Sequence, residues 1–178
     1  MLVVLTEEPS MKAALEILLP KIGVTAFQII PHQGVSDLEK SLPRKLRAWR
    51  DPSARFLVLR DNDGGDCHVR KQKLLAIAKD AGKEEKTLVR IVCQELEAWF
   101  VGDIDALRSS GVLTSRKVPA GLNKTPDDLP HPSKILKTLK PDYQKIAGAA
   151  LVAAHMDPDK NRSESFQQTM NAATILST

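Results

Sequence analysis

The segment Phe56-Leu57-Val58-Leu59-Arg60-Asp61-Asn62-Asp63-Gly64-Gly65-Asp66 constrains the chain most, because an apolar run stops abruptly at spaced carboxylates and paired glycines. Four apolar residues in succession fit a strand covered on both faces. The glycine pair lets the backbone turn sharply, while Asp61 and Asp63, two apart, can point the same way. Two carboxylates held close raise each other's pKa unless a cation joins them. A hard divalent ion with oxygen ligands, Mg²⁺ above all, is their natural partner.

A chain of 178 residues is long enough for one domain with a sizeable core. The excess of 26 basic over 22 acidic residues, a net charge of +4, is compatible with a polyanionic substrate. It is equally what solubility alone asks of a small domain. Aromatic residues make up 4% of the chain, which argues against single-strand binding on stacked aromatic platforms. Cys67 and Cys93 form no disulfide framework, and no signal peptide or membrane-length apolar run is present. A cytoplasmic protein is expected.

Leu2 to Leu5 read as the first strand, followed by a helix from about Ser10 to Leu19 that Pro20 closes. Val24 to Ile30 read as a second strand. A basic helix over Asp37 to Trp49 carries Arg44, Lys45 and Arg47, with Arg50 just beyond. Phe56 to Leu59 give the third strand, His68 to Asp80 a helix capped by Gly82, and Leu88 to Cys93 a fourth strand. This alternation predicts an α/β fold, a largely parallel sheet with helices on both sides. Residues 1–102 form its core. Residues 103–178 form a mostly helical extension packed on that core, with helices over Ser133 to Leu139, Tyr143 to His155 and Ser163 to Leu176. Glu7, Asp61, Asp63 and the Glu95/Glu97 pair all fall just beyond strand ends, where ligands of such sheets gather.

Several alternatives can be weighed on the residues alone. Asp66, Cys67 and His68 are adjacent and lack a second Cys/His pair, so they do not make a zinc site. Cys67 is more simply a small residue opening a helix, and His68 a solvated side chain in its first turn. An EF-hand fails because Gln72 stands where the bidentate Glu is needed. Glu7 by itself is equally a carboxylate at a helix N-terminus, and Asp61 with Asp63 an ordinary turn. Glu95 and Glu97 share one face on a strand but lie about 200° apart on a helix, where only one could face the site. Trp99 and Phe100 read as core.

Taken in order, Thr6-Glu7-Glu8-Pro9-Ser10, Arg60-Asp61-Asn62-Asp63 through Cys67, Gln94-Glu95-Leu96-Glu97-Ala98-Trp99-Phe100, the Tyr143-to-Lys145 spacing and Ser163-Glu164-Ser165-Phe166 resemble the DUF4276 family. This is a Toprim-like group related to the catalytic domains of overcoming-lysogenization-defect nucleases. The resemblance spans nearly the whole chain. It implies a Toprim-like three-layer sandwich with about four strands and a C-terminal helical extension. It further implies that Glu7, Asp61, Asp63 and Glu97 surround Mg²⁺ or Mn²⁺, and that Lys145 approaches the same site to stabilise a phosphate. In such a site Asp61 and Asp63 hold one or two ions, and Glu7 is a further ligand or the general base. Ser163 and Phe166 match the terminal motif and read as a helix cap with a packed aromatic. At position 8 the family usually carries Gly; here Glu8 adds a carboxylate beside the motif.

The expected activity is a divalent-metal-dependent phosphodiesterase acting on DNA or RNA. The resemblance also implies an AAA or ABC-type ATPase partner in a phage-defence or mobile-element system; the chain has no phosphate-binding Gly-x-x-x-x-Gly-Lys-Ser/Thr loop of its own, so any ATP dependence would come from another protein. A non-catalytic subunit that binds a partner or nucleic acid through the basic Arg44 to Arg50 stretch is the alternative, favoured by Glu8. A haloacid-dehalogenase-like phosphatase, with Asp61 as nucleophile and Asp63 as acid/base, stands behind both. That motif's usual Thr is replaced by Gly65.

Overall fold

A computed structural model describes residues 1–178. Its strands are β1 (Leu2–Thr6), β2 (Phe27–Pro31), β3 (Arg55–Asp61) and β4 (Thr87–Val92), hydrogen-bonded in the order β2-β1-β3-β4. Helices α1 (Pro9–Lys21), α2 (Val35–Ala48) and α3 (Cys67–Asp80) connect them in turn. Every strand pair is parallel, as the alternation of elements predicts.

The strands' period of two sorts the apolar side chains into two cores. Val3 and Leu5 of β1 join Phe56, Val58 and Val89 beneath Leu38, Leu42 and Leu46 of α2 and Leu74 and Ala78 of α3. Leu2 and Val4 face the other way, with Leu57, Leu59 and Val92, against Leu15, Leu18 and Leu19 of α1 and the helices that follow β4. The chain steps from β1 to β2 in one direction, then back over β1 to β3 and on to β4. Right-handed crossovers therefore set α1 on one face and α2 and α3 on the other. The reversal leaves a crevice between the carboxyl ends of β1 and β3.

Beyond β4 lie α4 (Glu97–Val101), α5 (Ile104–Ser109), α6 (Pro132–Leu139), α7 (Lys145–His155) and α8 (Glu164–Ser177). The ammonium of Lys21, at the end of α1, donates to the carbonyls of Ala153, Ala154 and Met156 at 3.0, 2.9 and 2.7 Å and so closes the C-terminus of α7. Ser163 caps α8 through the amide of Phe166 at 3.1 Å. Phe166 meets Trp99 edge to face at 5.4 Å, and both are fully buried.

Several boundaries differ from expectation. Pro20 lies inside the last turn of α1, where a missing N–H costs one hydrogen bond and no more. Val24 joins the core from a turn, its amide bonded to Leu19 O at 3.0 Å, and β2 starts only at Phe27. Strand β3 continues two residues past Leu59, because β4 still pairs with Arg60 and Asp61.

Candidate functional site

Glu7 follows the last residue of β1, and its amide continues the ladder to Leu59 O at 3.0 Å. Its side chain crosses the crevice. Oε2 accepts the Asp61 amide at 3.1 Å and lies 3.8 Å from Nε of the buried Arg60, whose Nη1 reaches Glu39 at 3.3 Å. The carboxylate of Glu7 thus fixes the main chain at the end of β3. The loop after β3 is clamped to the loop after β4: the Asp63 amide donates to Gln94 O and the Gly64 amide to Gln94 Oε1, both at 3.0 Å. Asp63 and Gln94 are the two non-glycine residues with left-handed backbones, at φ of 47° and 60°. Such conformations persist where the surroundings over-determine them. Asp66 then caps α3 through the amides of His68 and Val69, and Cys67 and His68 are exposed in its first turn.

A cleft of about 400 Å³ opens at this edge. Asp61, Asp63, Glu95 and Glu97 line its sheet side; Lys137, Tyr143 and Lys145 line the side built by α6 and α7. Asp61 is 3% exposed and Glu97 1%, whereas Asp63 lies on the exposed rim. Lys145 pairs with Glu8 Oε2, so this carboxylate, next to Glu7, holds the cleft's lysine. Four of the five expected site residues, Asp61, Asp63, Glu97 and Lys145, share the cleft. Glu7 stands behind it.

Glu95 resolves differently from either expected geometry. It sits in the loop ahead of α4, and its Oε2 accepts the Ser133 amide at 2.8 Å, capping α6 from outside. Both acids therefore border the cleft, Glu97 as the first residue of α4. The basic stretch Arg44 to Arg50 lies at the C-terminal end of α2, at the opposite edge of the sheet.

Burial pushes the Asp61 carboxyl well above the usual carboxylate range, and the charges of Glu97, Glu8 and Glu7 add to this against the pull of Lys145. Burial also raises Glu97, opposed by Lys145, and raises Glu7, opposed by the Asp61 amide and Arg60. Burial alone would lower the Lys145 ammonium, yet Glu8, Glu97 and Asp61 together hold it above its ordinary value. Burial, then Glu97, raises the Tyr143 phenol, so it remains a hydrogen-bond donor.

Asp61 Oδ1, Glu97 Oε2 and the Tyr143 hydroxyl are buried without a hydrogen-bond partner. Buried polar atoms are rarely left so. Two orphaned carboxylate oxygens of raised pKa form a donor set suited to a hard cation. No three acidic, histidine or cysteine side chains are grouped so as to hold a metal ion; the donor chemistry of Asp61 and Glu97 fits a divalent ion. Tyr143 and Lys137 carried no sequence signal as site residues beyond the Tyr143-to-Lys145 spacing. Only the packing of α6 and α7 brings them to the acids.

The family model described as Domain of unknown function (DUF4276) matches residues 6–172. Among solved structures, the chain is similar to the C-terminal region of the Burkholderia pseudomallei OLD protein. The TM-score is 0.54 at 16% identity, over 97% of this chain and 98% of that one. No curated protein matches the sequence. No helix is long and apolar enough to cross a membrane.

Proposed function

The chain belongs to the DUF4276 family, and on that premise, with its Toprim-like fold and acidic cleft, we propose that it is a divalent-cation-dependent phosphodiesterase acting on nucleic acid. The observation that carries this reading is the pair of buried, unpartnered carboxylate oxygens of Asp61 and Glu97, two residues lining the cleft beyond the carboxyl ends of β3 and β4. Asp61 and Glu97 would hold Mg²⁺ or Mn²⁺, with Asp63 reaching in from the rim. The ion, when bound, neutralises charge on nonbridging phosphate oxygens and makes water a better nucleophile.

The chain's own groups supply the rest. Glu7 would hold the end of β3 through the bond of its Oε2 to the Asp61 amide, with its second oxygen left for the ligand or general-base role expected of it. Lys145, protonated and restrained by Glu8, sets a positive charge beside a phosphate in the cleft. The Tyr143 hydroxyl is a donor for a phosphate oxygen. ATP dependence would come from a separate ATPase partner.

The test is cleavage of single- and double-stranded DNA and RNA with Mg²⁺ or Mn²⁺ against EDTA, for wild type and Asp61→Asn, alongside thermal melting with and without the ion. Cleavage and an ion-dependent rise in Tm are expected for wild type, and both should vanish in the variant. Full cleavage by Asp61→Asn would overturn the reading.

A further inference from the structure

Arg70 is a cation without a partner. It follows the first turn of α3, its guanidinium makes no hydrogen bond or ion pair, and its Nε is shut off from solvent with nothing to donate to. It lies over Gly65 so closely that a Cβ there would come within 2.3 Å of Nη2 and 2.4 Å of Nε. An alanine at this position would push the flexible guanidinium aside.

Arg70 lines a cavity of about 280 Å³ with Val35, Glu39, Arg60, Val69 and Lys73. Glu39 is engaged by Arg60 at 3.3 Å and Lys73 at 2.7 Å, and Glu7 lies 3.8 Å from Arg60, which leaves Arg70 as the one cation of that wall without a carboxylate. The N-terminal turns of α3 contain no acid and carry Arg70, Lys71 and Lys73, although the helix dipole disfavours cations there. Val69, 66% exposed on the same wall, adds an apolar contact. What the cavity lacks is an anion.

We propose that Arg70, backed by Lys73 and Arg60, forms a phosphate-binding subsite for the nucleic-acid strand, on the α2–α3 side of the sheet edge that bears the acidic cleft. This inference rests on the nucleic-acid reading above. Asp63 and Gly65 share the loop after β3 that borders the cleft, so a strand leaving the cleft across this loop would meet Arg70. The Nη1 and Nη2 groups of the guanidinium, which have no partner, suit bidentate contact with phosphate oxygens. Arg44, Arg47 and Arg50, at the far edge, take no part.

The test is binding of fluorescein-labelled DNA and RNA oligonucleotides by the full chain in EDTA, followed by anisotropy across a salt series. Arg70→Ala should weaken binding about tenfold at low salt and make the slope of log affinity against log salt shallower by about one. Gly65→Ala leaves every charge in place but displaces the guanidinium, and should weaken binding in the same direction. Lys160→Ala, at an exposed lysine paired with Asp157, serves as control.

The inference is overturned if Arg70→Ala matches the control, or if wild type binds no oligonucleotide. Because EDTA excludes turnover, the outcomes separate: Arg70-dependent binding without Mg²⁺-dependent cleavage sinks the phosphodiesterase reading and leaves the subsite. Cleavage with Arg70-independent binding does the reverse.

Discussion

Asp61 combines a buried, unpartnered oxygen with three neighbouring carboxylates and a single lysine, a costly arrangement for an ionised group. Asp61→Asn removes that charge at constant shape, so in the metal-free protein it should raise stability by about 1 to 3 kcal/mol, or roughly 2 to 4 °C in Tm per kcal/mol. The sign with pH follows from linkage. The folded pKa of Asp61 lies above its unfolded value, so wild type loses stability as pH rises through the folded value and keeps it below the ordinary carboxylate range. The advantage of the variant should therefore be largest at neutral pH and shrink on acidification; a difference in Tm that grew toward acid would refute this account. Asp61, Asp63, Glu95 and Glu97 were legible in the sequence as acids beyond strand ends, and Lys145 came only with the family resemblance. The cap that Glu95 provides across 38 residues, the orphaned hydroxyl of Tyr143 and the guanidinium of Arg70 laid over Gly65 were not legible, because they exist only once the chain is packed.

At the scale of elements, the union of α1 with α7 turns on Lys21, whose ammonium serves three carbonyls at the end of α7. Lys21→Met keeps the aliphatic stem but strands those acceptors, and should cost about 1 to 3 kcal/mol. Thermal melting checks it, and an unchanged Tm would show that water replaces the ammonium freely. Periodicity located α1, α2, α3, α7 and α8 to within two residues or so, since each carries a full apolar stripe. It missed α4 and α5, which are five and six residues long, too short for a helical period to show. All five residues of α4 are buried, so tertiary packing decides its conformation where local preference does not.

For the whole molecule, the parallel sheet covered on both sides followed from alternating elements and right-handed crossovers; the order β2-β1-β3-β4 did not, because no local pattern says which strand lies beside which. Residues 103–178, expected as a helical extension packed on the core of a single domain, complete the larger part of that core. The larger core joins Leu2, Val4 and Leu15 to Leu107, Val152, Phe166 and Met170. A chain ending at residue 102 would expose the apolar face of α1 and one side of the sheet. We expect it to bind a hydrophobic dye and to lack a cooperative melt; a sharp transition in that fragment would contradict this picture. The same integration has a consequence for the carboxylate of Glu95, which borders the cleft and at the same time closes the first turn of α6. Its two oxygens can answer both demands at once, Oε2 toward the Ser133 amide and Oε1 toward the cleft. A cation that drew on Glu95 would therefore steady the start of α6, and by reciprocity a loosening of α6 would weaken the hold on that cation. The state of the cleft and the start of α6 form a single equilibrium, which hydrogen exchange at Ser133 would report.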